Sequence, residues 1–133
     1  MKENLTEKKI SEILTRDVYV VNLEQTWASA ARKMHSHGFH HLVVVDENHN
    51  PVTIISAFDF LEFAYREGEH PGKLKLGDSL GDRKLHTIEE SKKLYDALNM
   101  MNFRHIDALA VVNEENRLTG IVTSRDLMNV LSD

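Results

Sequence analysis

The sequence predicts a mixed α/β (α+β) fold made of two tandem β-α-β-β-α repeats, packed face to face as a pseudo-two-fold pair. Three observations carry this prediction. The 133 residues repeat themselves at a constant spacing, each copy contains an amphipathic helical pattern, and each contains two short apolar runs joined by a polar turn. We expect the first repeat at 1–68, including the N-terminal segment, a linker at 69–72 and the second repeat at 73–133.

The repeat is gapless at a shift of 67 positions. The residues that this shift aligns as identities include Arg16 with Arg83, Ala30 with Ala97, Met34 with Met101, Leu42 with Leu109, Ile54 with Ile121 and Asp59 with Asp126. A chance register would not keep this spacing over roughly fifty residues without an insertion. The sequence therefore predicts an internal duplication.

Each copy contains three segments of strand character. The first is β-rich, and the next two are short apolar runs on either side of a polar turn, which predicts a hairpin. Four apolar residues are too few for a helix, so the middle run is expected to be a buried strand. The expected strands are 18–21, 42–45 and 52–55 in the first copy, and 85–88, 109–112 and 118–122 in the second.

Two helices are expected in each copy. The first has apolar residues at positions i, i+3, i+4 and i+7, starting at Trp27 and at Leu94. Thr26 and Ser91 are the expected caps of these helices, and Gly38 is expected to end the first of them. The second helix follows the hairpin directly, at 57–66 and at 124–131.

The helix at 57–66 is apolar on more than one face. Only one face can cover its own sheet, so the remainder predicts contact with the other repeat or with a second chain. We expect a homodimer. The apolar residues of this segment are Phe58, Phe60, Leu61, Phe63, Ala64 and Tyr65.

Composition excludes several classes of protein. There are no cysteines, which excludes disulfides, thiolate metal sites and cysteine nucleophiles. The net charge is −5 and no basic block is present, which disfavours general binding to nucleic acid or to anionic membranes. No apolar run reaches the ~18 residues of a membrane span, and residues 1–9 lack the apolar core of a signal peptide. A cytoplasmic protein is expected.

The end of each hairpin carries a hydroxyl residue followed three positions later by an aspartate: Ser56 with Asp59, and Thr123 with Asp126. At a helix N-terminus this spacing is typical of a capping box, in which both side chains satisfy backbone N–H groups. The same groups also suit a ligand, because helix N–H groups favour phosphate and a carboxylate accepts two hydrogen bonds from a sugar diol. The presence of the pair in both copies favours the ligand interpretation.

The segment from Gly120 to Asp126, which reads Gly-Ile-Val-Thr-Ser-Arg-Asp, resembles the motif of the CBS domain. Two such repeats in tandem resemble a CBS pair, or Bateman module, and the resemblance covers about residues 10–131. It implies a regulatory module that binds AMP, ADP, ATP or S-adenosylmethionine in clefts between the repeats and signals to a partner protein. It also implies dimers that form a flat disc of four repeats, and no enzymatic activity.

The resemblance assigns roles to the residues that match the motif. Asp126 and Asp59 would hold ribose hydroxyls, and Thr123 and Ser56 would approach the phosphate or the ribose edge. The other implied contacts are Ile121 and Ile54 against adenine; Thr15, Val18 and Val20 facing the Asp126 site; Leu85 and Thr87 facing the Asp59 site; and Arg125, His40 and His41 toward phosphate. Asp107, which leads into the middle strand of the second copy as His40 and His41 do in the first, would repel phosphate.

The two sites are expected to be unequal. Thr53 stands in the first copy where Gly120 starts the motif in the second, and its side chain adds bulk where the backbone comes close. The Asp126 site therefore ranks first, and occupancy of a single site is compatible with the sequence.

Two other functions remain open. The first is a ligand-free dimerisation or protein-interaction module, favoured by the apolar helix and by Thr53. The second is a metal site built on the histidine cluster of His35, His37, His40 and His41, since imidazole suits zinc, nickel or copper. An enzyme is disfavoured, because the chain contains no P-loop, no H-E-x-x-H and no G-x-S-x-G motif.

Overall fold

The computed structural model describes residues 7–68 and 71–132. The order β-α-β-β-α occurs twice in them, which confirms the predicted fold class and the duplication. The elements are α1 (Ile10–Ile13), β1 (Val20–Asn22), α2 (Trp27–His37), β2 (His41–Val45), β3 (Pro51–Ser56), α3 (Ala57–Glu67), α4 (Leu76–Ser79), β4 (Thr87–Glu89), α5 (Leu94–Arg104), β5 (Ala108–Val112), β6 (Leu118–Thr123) and α6 (Ser124–Leu131).

The two three-stranded sheets have the same topology. The first strand of each copy pairs in parallel with the second, and the second pairs antiparallel with the third, as the predicted hairpins require. The register shift also recurs, between Val44 and Val45 in β2 and between Val111 and Val112 in β5. The duplication is therefore preserved down to the irregularity of the ladder.

The chain divides into two compact units whose limits differ from those of the sequence repeats. One unit is formed by 19–85 and contains β1–β3, and the other is formed by 7–18 together with 86–132 and contains β4–β6. The N-terminal segment, expected with the first repeat, thus packs into the unit of the second. Residues 1–6, and residues 69 and 70 of the expected linker, lie outside the described residues.

Two short helices that the sequence analysis did not predict explain this exchange. Ile10 of α1 is fully buried in the β4–β6 unit, where its N–H donates to the carbonyl of Lys92 at 2.7 Å. Leu76 of α4 is fully buried in the β1–β3 unit, where its N–H donates to the carbonyl of Gln25 at 2.9 Å. The helix α1 thus adds an apolar side chain to the β4–β6 core, and α4 adds one to the β1–β3 core. Without these side chains, part of each core would be exposed to solvent.

The capping predictions had mixed outcomes. Thr26 caps α2 as expected, with its Oγ1 accepting from the N–H of Ser29 at 3.1 Å, and Gly38 ends the helix with a φ of 68°. The prediction that Ser91 caps α5 is wrong. Ser91 lies in the turn after β4, and the helix begins at Leu94, after Lys93, because the Asp96 carboxylate accepts from the Lys93 N–H at 3.0 Å.

Each short helix is accompanied by an exposed ion pair. Lys75 pairs with Glu24 at 2.9 Å, and Lys93 pairs with Glu7. The hydrogen bond to the glutamate raises the pKa of each lysine above its ordinary value, and the charge of the same glutamate adds to this effect. Because both pairs are in solvent, their contribution to stability is small.

The helix α3 has one buried and one exposed apolar face. Inward, Phe63 stacks on Trp27 with 4.2 Å between ring centroids, while Phe60 meets the same indole edge-on at 4.9 Å. Outward, three apolar side chains are exposed: Phe58 at 70%, Leu61 at 68% and Tyr65 at 83%. None of the helices within 7–68 and 71–132 combines the length and the apolar character needed to cross a membrane.

Candidate functional site

The junction of β6 and α6 places Thr123 and Asp126 in direct contact. The Thr123 hydroxyl oxygen accepts from the Asp126 N–H at 3.2 Å, and Asp126 Oδ2 accepts from the Thr123 N–H at 2.8 Å and from its hydroxyl at 3.1 Å. This is a reciprocal capping box. The cap uses only one carboxylate oxygen, so Oδ1 of Asp126 is directed elsewhere.

Thr15 reaches that second oxygen. Its hydroxyl donates to Asp126 Oδ1 at 3.1 Å. Its backbone is held beside β6 by two hydrogen bonds, from Thr15 N–H to the Ile121 carbonyl at 2.8 Å and from Ile121 N–H to the Thr15 carbonyl at 2.9 Å. Asp126, Thr123, Ile121 and Thr15 therefore meet within one compact unit.

Gly120 makes this approach possible. A Cβ built at Gly120 would overlap the side chain of Leu14 and the carbonyl oxygen of Thr15. Any larger residue at this position would push Leu14 and Thr15 away from β6. The glycine of the motif thus serves a close backbone contact in this chain.

The junction of β3 and α3 repeats the capping box with different surroundings. Asp59 Oδ2 accepts from the Ser56 N–H at 2.7 Å, as in the other copy. Asp59 Oδ1 instead accepts from Arg83 Nη1 at 2.9 Å, and Nη2 of the same guanidinium donates to the Ile54 carbonyl at 2.8 Å. The Asp59 side chain is 16% exposed and that of Arg83 39%.

Thr53 occupies the position that matches Gly120. It is buried, and its hydroxyl donates to the carbonyl of Lys84 at 3.3 Å. The segment around Lys84 is therefore bound to β3 through the Thr53 side chain, whereas the segment around Thr15 is bound to β6 through backbone hydrogen bonds. A pocket of about 320 Å³ adjoins Asp59, with Arg66 and Arg83 among its lining residues.

The remaining expected contacts are distributed over both units. Val18 and Thr87 belong to the unit of Asp126, and Val20 and Leu85 belong to the unit of Asp59. Thr87 and Val20 thus lie in a different unit from the aspartate that each was expected to face. Arg125 is exposed in the first turn of α6.

The residues before the middle strands lie next to the helix N-termini. The His40 carbonyl accepts from the Ala57 N–H at 2.8 Å, and the Asp107 carbonyl accepts from the Ser124 N–H at the same distance. The side chains of His40 and Asp107 are exposed. His41 pairs with Ser56 in the β2–β3 ladder.

The histidine cluster does not converge. The ring of His37 lies 4.4 Å from the ring of Tyr19, and its Nδ1 is 2.9 Å from the Lys33 carbonyl oxygen. His35 is exposed on α2. In the part of the chain that the structure describes, no three histidine, aspartate or glutamate side chains are grouped so as to hold a metal ion.

Arg83 is a site residue that the sequence did not predict. Arg83 aligns with Arg16 under the repeat, and this alignment indicates that a charged residue precedes the first strand of each copy. The signal did not disclose the contact, because Arg16 Nη2 lies 3.5 Å from the Ser11 carbonyl oxygen while Arg83 reaches Asp59.

The sequence profile of the CBS domain family matches the chain twice, at residues 10–66 and 78–133. An uncharacterized 17.7 kDa protein of Acidianus ambivalens is 35% identical to this chain over 94% of it and 74% of the relative. An uncharacterized protein of Methanopyrus kandleri is 29% identical over 91% of the chain and 61% of the relative. The chain thus spans about three fifths of the length of this second relative.

Solved structures share the fold. A CBS-domain protein from Agrobacterium tumefaciens superposes with a TM-score of 0.85 at 17% identity, covering 98% of both chains. The CBS domain pair of another protein, crystallised with 5′-methylthioadenosine and S-adenosyl-L-methionine, has a TM-score of 0.80 at 24% identity and covers 94% of this chain and 96% of that one. With its two profile matches and its duplicated β-α-β-β-α fold, the chain belongs to the CBS domain family and carries two tandem copies of the domain.

Proposed function

We propose that this protein is a regulatory module that binds an adenosine-containing ligand, namely AMP, ADP, ATP or S-adenosylmethionine, and signals its occupancy to a partner protein. The observation that carries the proposal is the carboxylate of Asp126, which the cap and Thr15 hold at the end of β6. The similar fold crystallised with S-adenosyl-L-methionine and 5′-methylthioadenosine supports the ligand class.

The chemistry of the Asp126 site suits a ribose. A carboxylate offers about four lone-pair positions, of which the cap takes two and Thr15 takes one. Asp126 can therefore accept one hydroxyl of a sugar diol directly, and the other in place of the Thr15 hydroxyl. The Thr123 hydroxyl lies beside it, and Ile121 offers an apolar side chain to a base. Exposed Arg125 supplies a cation for phosphate.

Roles for the other residues follow from the same proposal. Val18 adds an apolar contact for the ligand of Asp126, and His40 and His41 supply phosphate contacts at the site of Asp59. The second site, centred on Asp59, uses Ser56 for the ribose edge, Ile54 for the base and Leu85 as the facing residue. The module acts by binding, and no catalytic step is part of the proposal.

Thermal unfolding with each of the four ligands tests the proposal, with GTP as the control nucleotide. A ligand at about 100 times its Kd stabilises the folded protein by about 2.7 kcal/mol, which raises the Tm of a chain of this size by about 10 °C. We expect such a shift for an adenosine ligand only. No shift with any of the four, for protein freed of bound nucleotide, would contradict the proposal.

Substitution of Asp126 locates the site. Asp126→Ala should abolish the shift because it removes the ribose acceptor. Asp96→Ala is the matched control, since Asp96 is the capping carboxylate of α5 in the same unit. Asp96→Ala loses a cap and should keep the ligand-induced rise in Tm. If Asp126→Ala also kept that rise, the ribose assignment would be refuted.

The exposed face of α3 favours a second candidate function, that of a dimerisation or protein-interaction module. Phe58, Leu61 and Tyr65 present an apolar stripe to solvent. Stripes of this kind are typical of contact with another chain. We propose a homodimer that uses this face, which is compatible with ligand binding and would remain if ligand binding failed its test.

A further inference from the structure

We propose that Arg83 determines which of the two aspartates takes the ligand, by keeping the Asp59 site closed while the Asp126 site stays open. The inference rests on the proposed function, and it assigns to the wild-type chain one bound adenosine ligand rather than two. Arg83 is then a specificity-determining residue of the Asp59 site, because it binds the carboxylate that a ligand would use.

The guanidinium blocks the groups that a nucleoside would use. It spans from Asp59 Oδ1 at 2.9 Å to the Ile54 carbonyl at 2.8 Å, and thus crosses the end of β3 to the start of α3. The second oxygen, Oδ2, is engaged by the Ser56 cap. A ribose that binds with both hydroxyls must therefore displace a cation held at two points, and hydrogen bonds between ions are stronger than those between neutral groups.

The matching donor at Asp126 is a neutral hydroxyl. Thr15 makes one side-chain hydrogen bond to Asp126 Oδ1 at 3.1 Å. A hydroxyl both donates and accepts, and it leaves one lone pair of the carboxylate oxygen unused. One hydroxyl of a sugar diol can take this lone pair, and the other has only to displace the neutral Thr15 hydroxyl. The two carboxylates therefore differ in what a ligand must remove.

The difference originates at the position held by Gly120 in one copy and by Thr53 in the other. Gly120 admits the backbone of Thr15 against β6. Thr53 instead holds the Lys84 carbonyl through its hydroxyl, and Lys84 follows Arg83 directly in the chain. This anchor directs the guanidinium to the β3–α3 junction.

The matching arginine of the other copy is the internal comparison. Arg16 aligns with Arg83 under the repeat, yet its Nη2 lies 3.5 Å from the carbonyl oxygen of Ser11, within its own segment. Because Arg83 also lines the pocket beside Asp59, shortening its side chain enlarges the space next to that carboxylate. Removal of Arg83 thus opens the Asp59 site, whereas removal of Arg16 changes neither carboxylate.

Isothermal titration of nucleotide-free protein, with AMP, ADP, ATP and S-adenosylmethionine each titrated separately, tests the inference. We expect one equivalent bound per chain for the wild type and for Arg16→Gln. For Arg83→Gln we expect two equivalents. The Kd of the second binding step should be at least about tenfold lower than that of any second step in the wild type, because a charged hydrogen bond no longer opposes binding. The double variant Arg83→Gln with Asp126→Asn should bind one equivalent.

The outcomes separate the two proposals. Two equivalents of similar Kd in the wild type, or one equivalent in folded Arg83→Gln, overturns the role of Arg83 and leaves the proposed function standing. A double variant that binds nothing also overturns it, because the gained site is then not at Asp59. No binding by any variant defeats the proposed function, and the inference with it. Arg83→Met, which keeps the aliphatic stem, replaces Arg83→Gln if circular dichroism shows that the latter is unfolded.

Discussion

The surroundings of the two aspartates differ at the position that is Gly120 in one copy and Thr53 in the other. Gly120 lets Thr15 come close enough to β6 for two backbone hydrogen bonds with Ile121. Thr53 fills the matching position, and its hydroxyl holds the Lys84 carbonyl. A hydroxyl reaches one carboxylate, and a guanidinium reaches the other.

Replacement of Gly120 by alanine should lower the free energy of unfolding by about 2 kcal/mol, because the added methyl group overlaps Leu14 and the Thr15 carbonyl. Urea unfolding measures the change. The matched control is Thr53→Ala, which loses one hydroxyl hydrogen bond and adds no bulk, so its cost is about 1 kcal/mol. Equal losses in the two variants would show that the close approach at Gly120 is not needed.

Contacts between near neighbours in the chain could be predicted from the sequence, and distant ones could not. The hydroxyl and the acid of each cap are three positions apart, so their contact follows from helix geometry alone. Arg83 reaches Asp59 across 24 positions. Its partner depends on how the segment before β4 passes β3, and the aligned Arg16 has a different contact.

At the scale of the elements, the long periodic segments were predictable and the short ones were not. The helices α2 and α5 each have 11 residues, enough to display a helical apolar period. The helices α1 and α4 have four residues each, about one turn, and are held by the unit that buries them. The exchange of segments between repeats was missed for the same reason.

The burial of α1 predicts a stability effect far from the site. Ile10→Ala should lower the free energy of unfolding by about 3 kcal/mol, because it leaves a cavity in the β4–β6 core. Glu12→Ala on the same short helix is exposed and should change stability by less than about 0.5 kcal/mol. Urea unfolding compares the two, and equal effects would mean that α1 is not part of that core in solution.

At the scale of the whole molecule, the duplication conserves the fold more closely than the surface. The last helix of each copy carries an exposed apolar residue at matching positions, Leu61 in α3 and Met128 in α6. The exposed apolar residues of α3 are Phe58, Leu61 and Tyr65, whereas those of α6 are Met128 and Leu131, because Phe58 aligns with Arg125 and Tyr65 with Ser132. The outer faces of α3 and α6 therefore carry different apolar residues, and the two carboxylates have different partners.

This asymmetry predicts how the chain assembles. Leu61 lies between Phe58 and Tyr65 on the exposed face, so Leu61→Glu places a charge at the centre of the proposed contact between two copies. A charge that must be buried without a partner costs several kcal/mol, which is enough to dissociate a dimer at micromolar concentration. Sedimentation velocity should give a dimer for the wild type and a monomer for Leu61→Glu. Asn48→Glu adds the same charge in the exposed β2–β3 turn and should leave the dimer intact; a wild-type monomer, or a dimer that tolerates Leu61→Glu, would remove α3 from the interface.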